Sequence, residues 1–203
     1  MTVTLPAEAV AFRAALAAVP LMRRDAWLDA RLGLGELPDD DPALPRGCVP
    51  YLPCPVDTLA RAAEEAAIGP DDTVIDVGAG VGRAIAALHQ LTGAAAIGIE
   101  IQPALAAAAR ALVAGFERVE VVEGDVAGHA ATLARGSVFF LYCPFSGARL
   151  AGLLDLLEPI AAARPIRVCA VDLPIPSRPW LEVIAASDEL VVYRSAQQRK
   201  PVE

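Results

Sequence analysis

Asp76-Val77-Gly78-Ala79-Gly80-Val81-Gly82-Arg83 is the stretch from which the fold can be read. It completes a β-branched run over 73–77 and opens a helical pattern over 83–91. A strand that turns into a helix through alternating glycines is where doubly wound sheets bind nucleotides. Glycine there permits unusual backbone angles and lets a ligand approach the main chain. The helix start adds unpaired N–H groups that can receive a carboxylate or phosphate. Three glycines behind a carboxylate exceed what a plain turn needs.

Downstream the pattern alternates. Strands are predicted over 95–99, 119–122, 138–142 and 166–171, and helices over 103–114, 127–133 and 148–163. A last run at 190–193 is predicted to pair antiparallel with one near 181–184. Strands separated by helices of this length imply right-handed crossovers and a parallel sheet covered on both faces. Upstream, a helix over 56–67 is expected to stop at Gly69-Pro70. Pro6 opens a helix through Phe12, Leu16 and Val19; Pro20 interrupts it, and a second follows over Leu21, Trp27, Leu28 and Leu32. Residues 33–55, rich in Gly, Pro and Asp, read as an ordered loop or lid. Its Asp39-Asp40-Asp41 triplet reads as a solvated turn. The division expected is 1–54 as N-terminal helices and lid, and 55–203 as the ligand-binding domain.

The whole chain has 203 residues, 25 acidic against 17 basic, for a net charge of −8, and is 55% hydrophobic. That content is ample for a core and argues against disorder. The negative balance argues against charge-driven binding to nucleic acid or an anionic membrane. The most apolar stretch, 94–116, is broken by Glu100, Gln102, Pro103 and Arg110, so no transmembrane helix is expected. Glu8 and Arg13 interrupt the N-terminus, which lacks the pattern of a signal peptide. Cys48, Cys54, Cys143 and Cys169 form no CxxC pair; reduced thiols in a cytoplasmic protein are the simplest reading, and no metal site is expected.

Two further carboxylates decide which ligand suits the loop. Ile97-Gly98-Ile99-Glu100 ends the next strand about 20 residues on, suited to accept both ribose hydroxyls. Val121-Val122-Glu123-Gly124-Asp125 ends the third strand with a carboxylate suited to an adenine amino group. A dinucleotide site would place its third glycine where Arg83 stands, so the G-x-G-x-G spacing disfavours a nicotinamide oxidoreductase.

With these three motifs in order, the chain resembles the class I S-adenosylmethionine-dependent methyltransferases from about Pro55 onward. The resemblance implies an α/β, doubly wound, mostly parallel seven-stranded Rossmann-like sheet with an antiparallel C-terminal strand, plus the N-terminal helical cap. It implies S-adenosyl-L-methionine as cofactor. Gly78, Ala79, Gly80 and Gly82 would line its methionyl and ribose part, with Asp76 near the ammonium. Glu100 would hold the ribose, Ile101 pack on adenine, and Gly124 and Asp125 meet the adenine edge. Acidic strand ends suit a cationic sulfonium without a pyrophosphate.

The fourth strand ends Tyr142-Cys143-Pro144-Phe145, which faces the transferred methyl group in that fold. The run looks like a degenerate Asn/Asp-Pro-Pro-Tyr/Phe motif of amino-group methyltransferases. The side-chain acceptor is missing, leaving backbone carbonyls of Tyr142 or Cys143 to substitute and Phe145 as a wall or ring face. No firm base is evident; Cys143 is a poor nucleophile candidate, because no motif brings His89 or His129 to it. Val49-Pro50-Tyr51-Leu52-Pro53-Cys54-Pro55 is similar to a segment of the branch related to non-SET protein-lysine methyltransferases. That likeness makes Tyr51 and Pro53 lid candidates, with Cys54 where a hydroxyl residue is usual. Trp27 and Trp180 read as core, His89 as a helix-surface residue, and His129 as a remote candidate base. The expected activity is methyl transfer to an amine of a protein or small molecule; the alternative is a binding module without turnover.

Overall fold

The computed structural model describes residues 3–196. Five strands run parallel: β1 Thr73–Val77, β2 Ala95–Glu100, β3 Val119–Glu123, β4 Val138–Tyr142 and β5 Arg167–Val171. A closing hairpin, β6 Leu181–Ala186 and β7 Leu190–Ser195, adds β7 antiparallel to β5 and leaves β6 at the edge. The sheet order is β3-β2-β1-β4-β5-β7-β6. The doubly wound sheet with its antiparallel strand is therefore the one expected, and β1 and β4 coincide with the predicted runs.

The helices are α1 Ala7–Ala17, α2 Arg24–Leu32, α3 Val56–Glu65, α4 Arg83–Thr92, α5 Pro103–Val113, α6 Ala130–Leu133 and α7 Gly147–Ala163. Side chains alternate along each strand with period two, which divides the core. Val74, Phe140, Cys169 and Val192 face α3 and α4 on one side. Ile75, Val77, Phe139, Leu141 and Val168 face Leu150, Leu153, Leu154 and Leu157 of α7 on the other. Phe12, Leu16 and Leu28 of the N-terminal helices belong to the first of these cores. Trp180 is a buried core residue, whereas Trp27 is partly buried and packs against the first core, tilted on Phe12 with centroids 5.5 Å apart.

Two expectations fail locally. Helix α3 ends at Glu65 because Ala67 takes a left-handed angle (φ 48°) and the Ile68 N–H bonds back to the Ala63 carbonyl at 2.9 Å. Arg167 then satisfies the freed carbonyls of Ala66 and Ala67 at 2.5 and 3.0 Å, so no glycine is needed for the stop. His89 is not a free surface residue. Its Nδ1 lies 2.7 Å from the Ala94 carbonyl and its ring meets Phe116 edge-on.

Reversal of the winding between β1 and β4 leaves a crevice beyond the carboxyl ends of the strands, the usual ligand position in open α/β sheets. Residues 33–55 cross this crevice without forming a helix or a named strand; Cys48 makes one isolated bridge to Phe145. No helix among the described residues is long and apolar enough to cross a membrane.

Candidate functional site

The crevice is an open cleft, roughly 680 Å³ when the solvent space at its mouth is included. Five segments form its walls: the lid at Cys48 to Leu52, the loop at Gly78 and Gly80, the β2 end at Glu100 to Gln102, the β3 end at Gly124 to Val126, and Tyr142 to Phe145 after β4. Parallel strands bring these segments together because every carboxyl end lies at the same edge of the sheet. A smaller pocket of about 280 Å³ adjoins it and includes Asp76, Ala79, Arg83, Pro53 and Cys54. Tyr51, Leu52, Gly78 and Tyr142 border both, so Tyr51 stands as the partition.

The glycine loop is fixed to β2. Gly78 and Ala79 both donate to the Ile99 carbonyl, at 2.9 and 3.1 Å. Gly80 adopts φ 54°, and a Cβ built on it would overlap Cδ2 and Cε2 of Tyr51, so only glycine lets the lid ring lie on the loop. Gly82 faces Ala109 of α5 at 3.1 Å from an ideal Cβ, away from both pockets; its role in the structure is close helix packing.

Glu100 is 4% exposed. Its Oε2 accepts the Gly80 N–H at 2.7 Å and its Oε1 the Gln102 N–H at 2.8 Å. Burial pushes its pKa up against the pull of these donors. The Ile101 N–H also donates to the carboxylate, which with about four acceptor sites keeps capacity for a further donor. Asp76 is buried, has no hydrogen-bond donor among the described residues, and lies in the field of Glu100. Burial first, then Glu100, raises its pKa to about 7.

Asp125 is held more tightly than the sequence suggests. Its Oδ1 caps the Ala127 N–H at 3.1 Å, and its Oδ2 pairs with Arg149 at 2.8 Å. Burial opposes ionisation there, but the donors outweigh it and the pKa is lowered. Arg149, from α7, is a cleft residue that sequence reading missed; nothing in its spacing singles it out. His129 packs its Nε2 2.5 Å from the ideal Cβ of Gly124 and is not part of the cleft wall, so it is no base for this site.

At the methyl-facing end, Tyr142 to Phe145 all border the cleft. Phe145 is 5% exposed and packs into the α7 core, which makes it a wall and leaves no open ring face. Cys143 has φ 32° and Asp172 φ 47°; each directly follows the last paired residue of its strand, Tyr142 and Val171. Two strained non-glycine residues thus sit side by side at the tips of β4 and β5, a pattern found at functional sites. Burial and Asp172 raise the Cys143 thiol pKa, which opposes its use as a nucleophile.

The lid is anchored by residues not singled out as site residues. Arg83, 4% exposed, donates to Asp29 at 2.5 Å, Asp25 at 2.7 Å and the Cys54 carbonyl at 2.5 Å. Asp25 also caps the Val56 N–H at the start of α3, at 2.9 Å. The acidic triplet is no simple solvated turn. Asp40 accepts the Tyr51 N–H at 2.9 Å and the Gln102 amide at 2.8 Å, while the Asp41 N–H donates to Gln102 Oε1 at 2.6 Å. No local signal reveals these bonds, because Tyr51 lies 11 residues from Asp40 and Gln102 lies 62 from it. No group of acidic, His or Cys side chains able to hold a metal occurs among the described residues.

The sequence matches no protein-family model and no curated protein sequence. Solved structures do match. An RNA methyltransferase from Salinibacter ruber, crystallised with S-adenosyl-L-homocysteine, is 23% identical with a TM-score of 0.53, covering 75% of this chain and 98% of that one. The Escherichia coli protein yhhF, described as a candidate methyltransferase, is 22% identical with a TM-score of 0.55, over 80% and 92%. Precorrin-6y C5,15-methyltransferase from Geobacter metallireducens is 15% identical with a TM-score of 0.51, over 70% and 88%. At these identities the likeness establishes a shared fold alone, the Rossmann-like sheet of these methyltransferase structures.

Proposed function

We propose that this protein is an S-adenosylmethionine-dependent methyltransferase acting on an amine of a protein or small molecule. One observation carries the reading: the bent glycine loop and the carboxylates Glu100 and Asp125 converge on one cleft, in a fold shared with an enzyme crystallised with S-adenosyl-L-homocysteine. The residues fit that group. The ends of β1, β2 and β4 and the turn after β3 all border the same open cleft. Its strand ends are acidic, which favours a cation, and Arg83 is saturated by Asp25, Asp29 and Cys54 and cannot serve a dinucleotide phosphate.

When bound, the cofactor supplies an electrophilic methyl group. Glu100 accepts the ribose hydroxyls on its remaining lone pairs. Asp125 takes the adenine amino group beside its bond to Arg149, and Ile101 packs on the ring. Asp76, across Tyr51 in the adjoining pocket, directs negative charge toward the ammonium. Tyr51 covers the glycine loop and excludes water, which lowers the pKa of an arriving amine and favours its reactive neutral form. Asp172 lies beside Tyr142 and Cys143, whereas Glu189 is paired with Arg61 and Arg149 also borders the cleft. Asp172 therefore offers an arriving ammonium a local partner before desolvation favours its neutral form. The absent carboxamide at Tyr142-Cys143 favours a second reading, a binding module without turnover.

Calorimetry with S-adenosylhomocysteine tests the site: wild type should bind, and Glu100→Ala should bind at least tenfold more weakly. An inosyl analogue, lacking the adenine amine, should lose affinity for wild type but not for Asp125→Ala. Product release from any of a panel of amines, hydroxyl compounds and peptides separates enzyme from module. Equal S-adenosylhomocysteine binding by wild type and Glu100→Ala would overturn the assignment.

A further inference from the structure

We infer that Gln102 is a positioning residue that clasps the lid over the cleft. This inference rests on reading the cleft as the cofactor site. The bonds form a closed circuit. The Gly80 N–H donates to Glu100, and the Glu100 carboxylate accepts the Gln102 N–H. The Gln102 side chain both donates to Asp40 and accepts from the Asp41 N–H. Asp40 accepts the Tyr51 N–H, and the Tyr51 ring returns to Gly80.

Each link has a physical consequence. Gln102 is 5% exposed, so bulk water competes little for its two lid partners. A primary amide is the group that can donate to a carboxylate and accept from an N–H at once. Glutamate would repel Asp40, and alanine would leave the Asp41 N–H without its partner. Because Gln102 lies two residues after Glu100, any ligand that draws on the Glu100 carboxylate acts on the same turn that holds the lid. Cofactor grip and lid closure therefore belong to one network, and the affinity it confers should be lost as a unit.

Gln102→Ala, Asp40→Ala, their double variant and Asp40→Asn provide the test. Calorimetry with S-adenosylhomocysteine should give about tenfold weaker binding for each alanine variant, and the double variant should be no weaker than either single. Asp40→Asn keeps an acceptor for Tyr51 and should bind within about threefold of wild type. Hydrogen exchange of the Tyr51 amide gives a reading independent of cofactor: it should exchange at least tenfold faster in Gln102→Ala and at the wild-type rate in Asp40→Asn. Unchanged Tyr51 exchange in Gln102→Ala, or additive losses in the double variant, overturns the clasp. Failure of wild type to bind S-adenosylhomocysteine overturns the cofactor reading instead, and the exchange measurement still decides the clasp.

Discussion

The ring of Tyr51 rests on the Cα of Gly80 and fills the space any side chain there would need. Gly80→Ala therefore meets two penalties. A left-handed alanine costs about 1–2 kcal/mol, and displacing the ring adds about 1–3 kcal/mol of overpacking. In a Tyr51→Ala background the second penalty disappears. Chemical denaturation of the four proteins should reveal this coupling, and strict additivity would refute the contact.

Asp76 makes both stability and binding depend on pH. Its pKa is raised to about 7, so the fold favours the protonated form. That contribution to stability is full below the ordinary value of 3.8 and fades as pH rises through about 7. A cationic ligand requires the ionised form, so S-adenosylmethionine affinity should climb between pH 6 and 8. Asp76→Asn should flatten both profiles. Parallel slopes for variant and wild type would remove Asp76 from the site.

Arg83 ties three segments of chain together, and its removal should be felt well beyond the cleft. Breaking a buried ion pair on one side costs about 3–5 kcal/mol. Asp25 and Asp29 are about half exposed and can rehydrate, so Arg83→Ala should lose only about 2–3 kcal/mol. Arg83→Lys should recover little, since one ammonium cannot reproduce a planar fork with three acceptors. Urea melts read the loss, and proteolysis near residue 33 should accelerate. A loss below about 0.5 kcal/mol would show that the latch is ornamental.

Cys143 carries backbone strain at the tip of β4. Cys143→Gly relieves about 1–2 kcal/mol of it and forfeits about 0.5–1 kcal/mol of chain entropy, leaving stability almost unchanged. A β-branched residue tolerates φ 32° badly, so Cys143→Val should cost about 2 kcal/mol. The raised thiol pKa predicts slow alkylation by iodoacetamide at pH 8, slower than free cysteine. Thermal melts and thiol kinetics check these outcomes; a fast-reacting Cys143 would reopen a nucleophilic role.

Local pattern made much of this protein legible. The β-branched runs, the helical spacing and the glycine loop each act over a few residues, and backbone hydrogen bonding makes them obligatory in situ. Thr73–Val77 and Val138–Tyr142 were readable as strands for that reason. Glu100 and Asp125 were readable as strand-end carboxylates because parallel strands put all their carboxyl ends on one edge. What only the tertiary structure decided was the company each group keeps. Asp40 became a lid anchor, Arg149 a cleft residue and Gly82 a packing residue through partners about 20 to 60 residues away. Side-chain bonds of that kind leave no periodicity in the chain, since their geometry exists only after the sheet and the lid have packed.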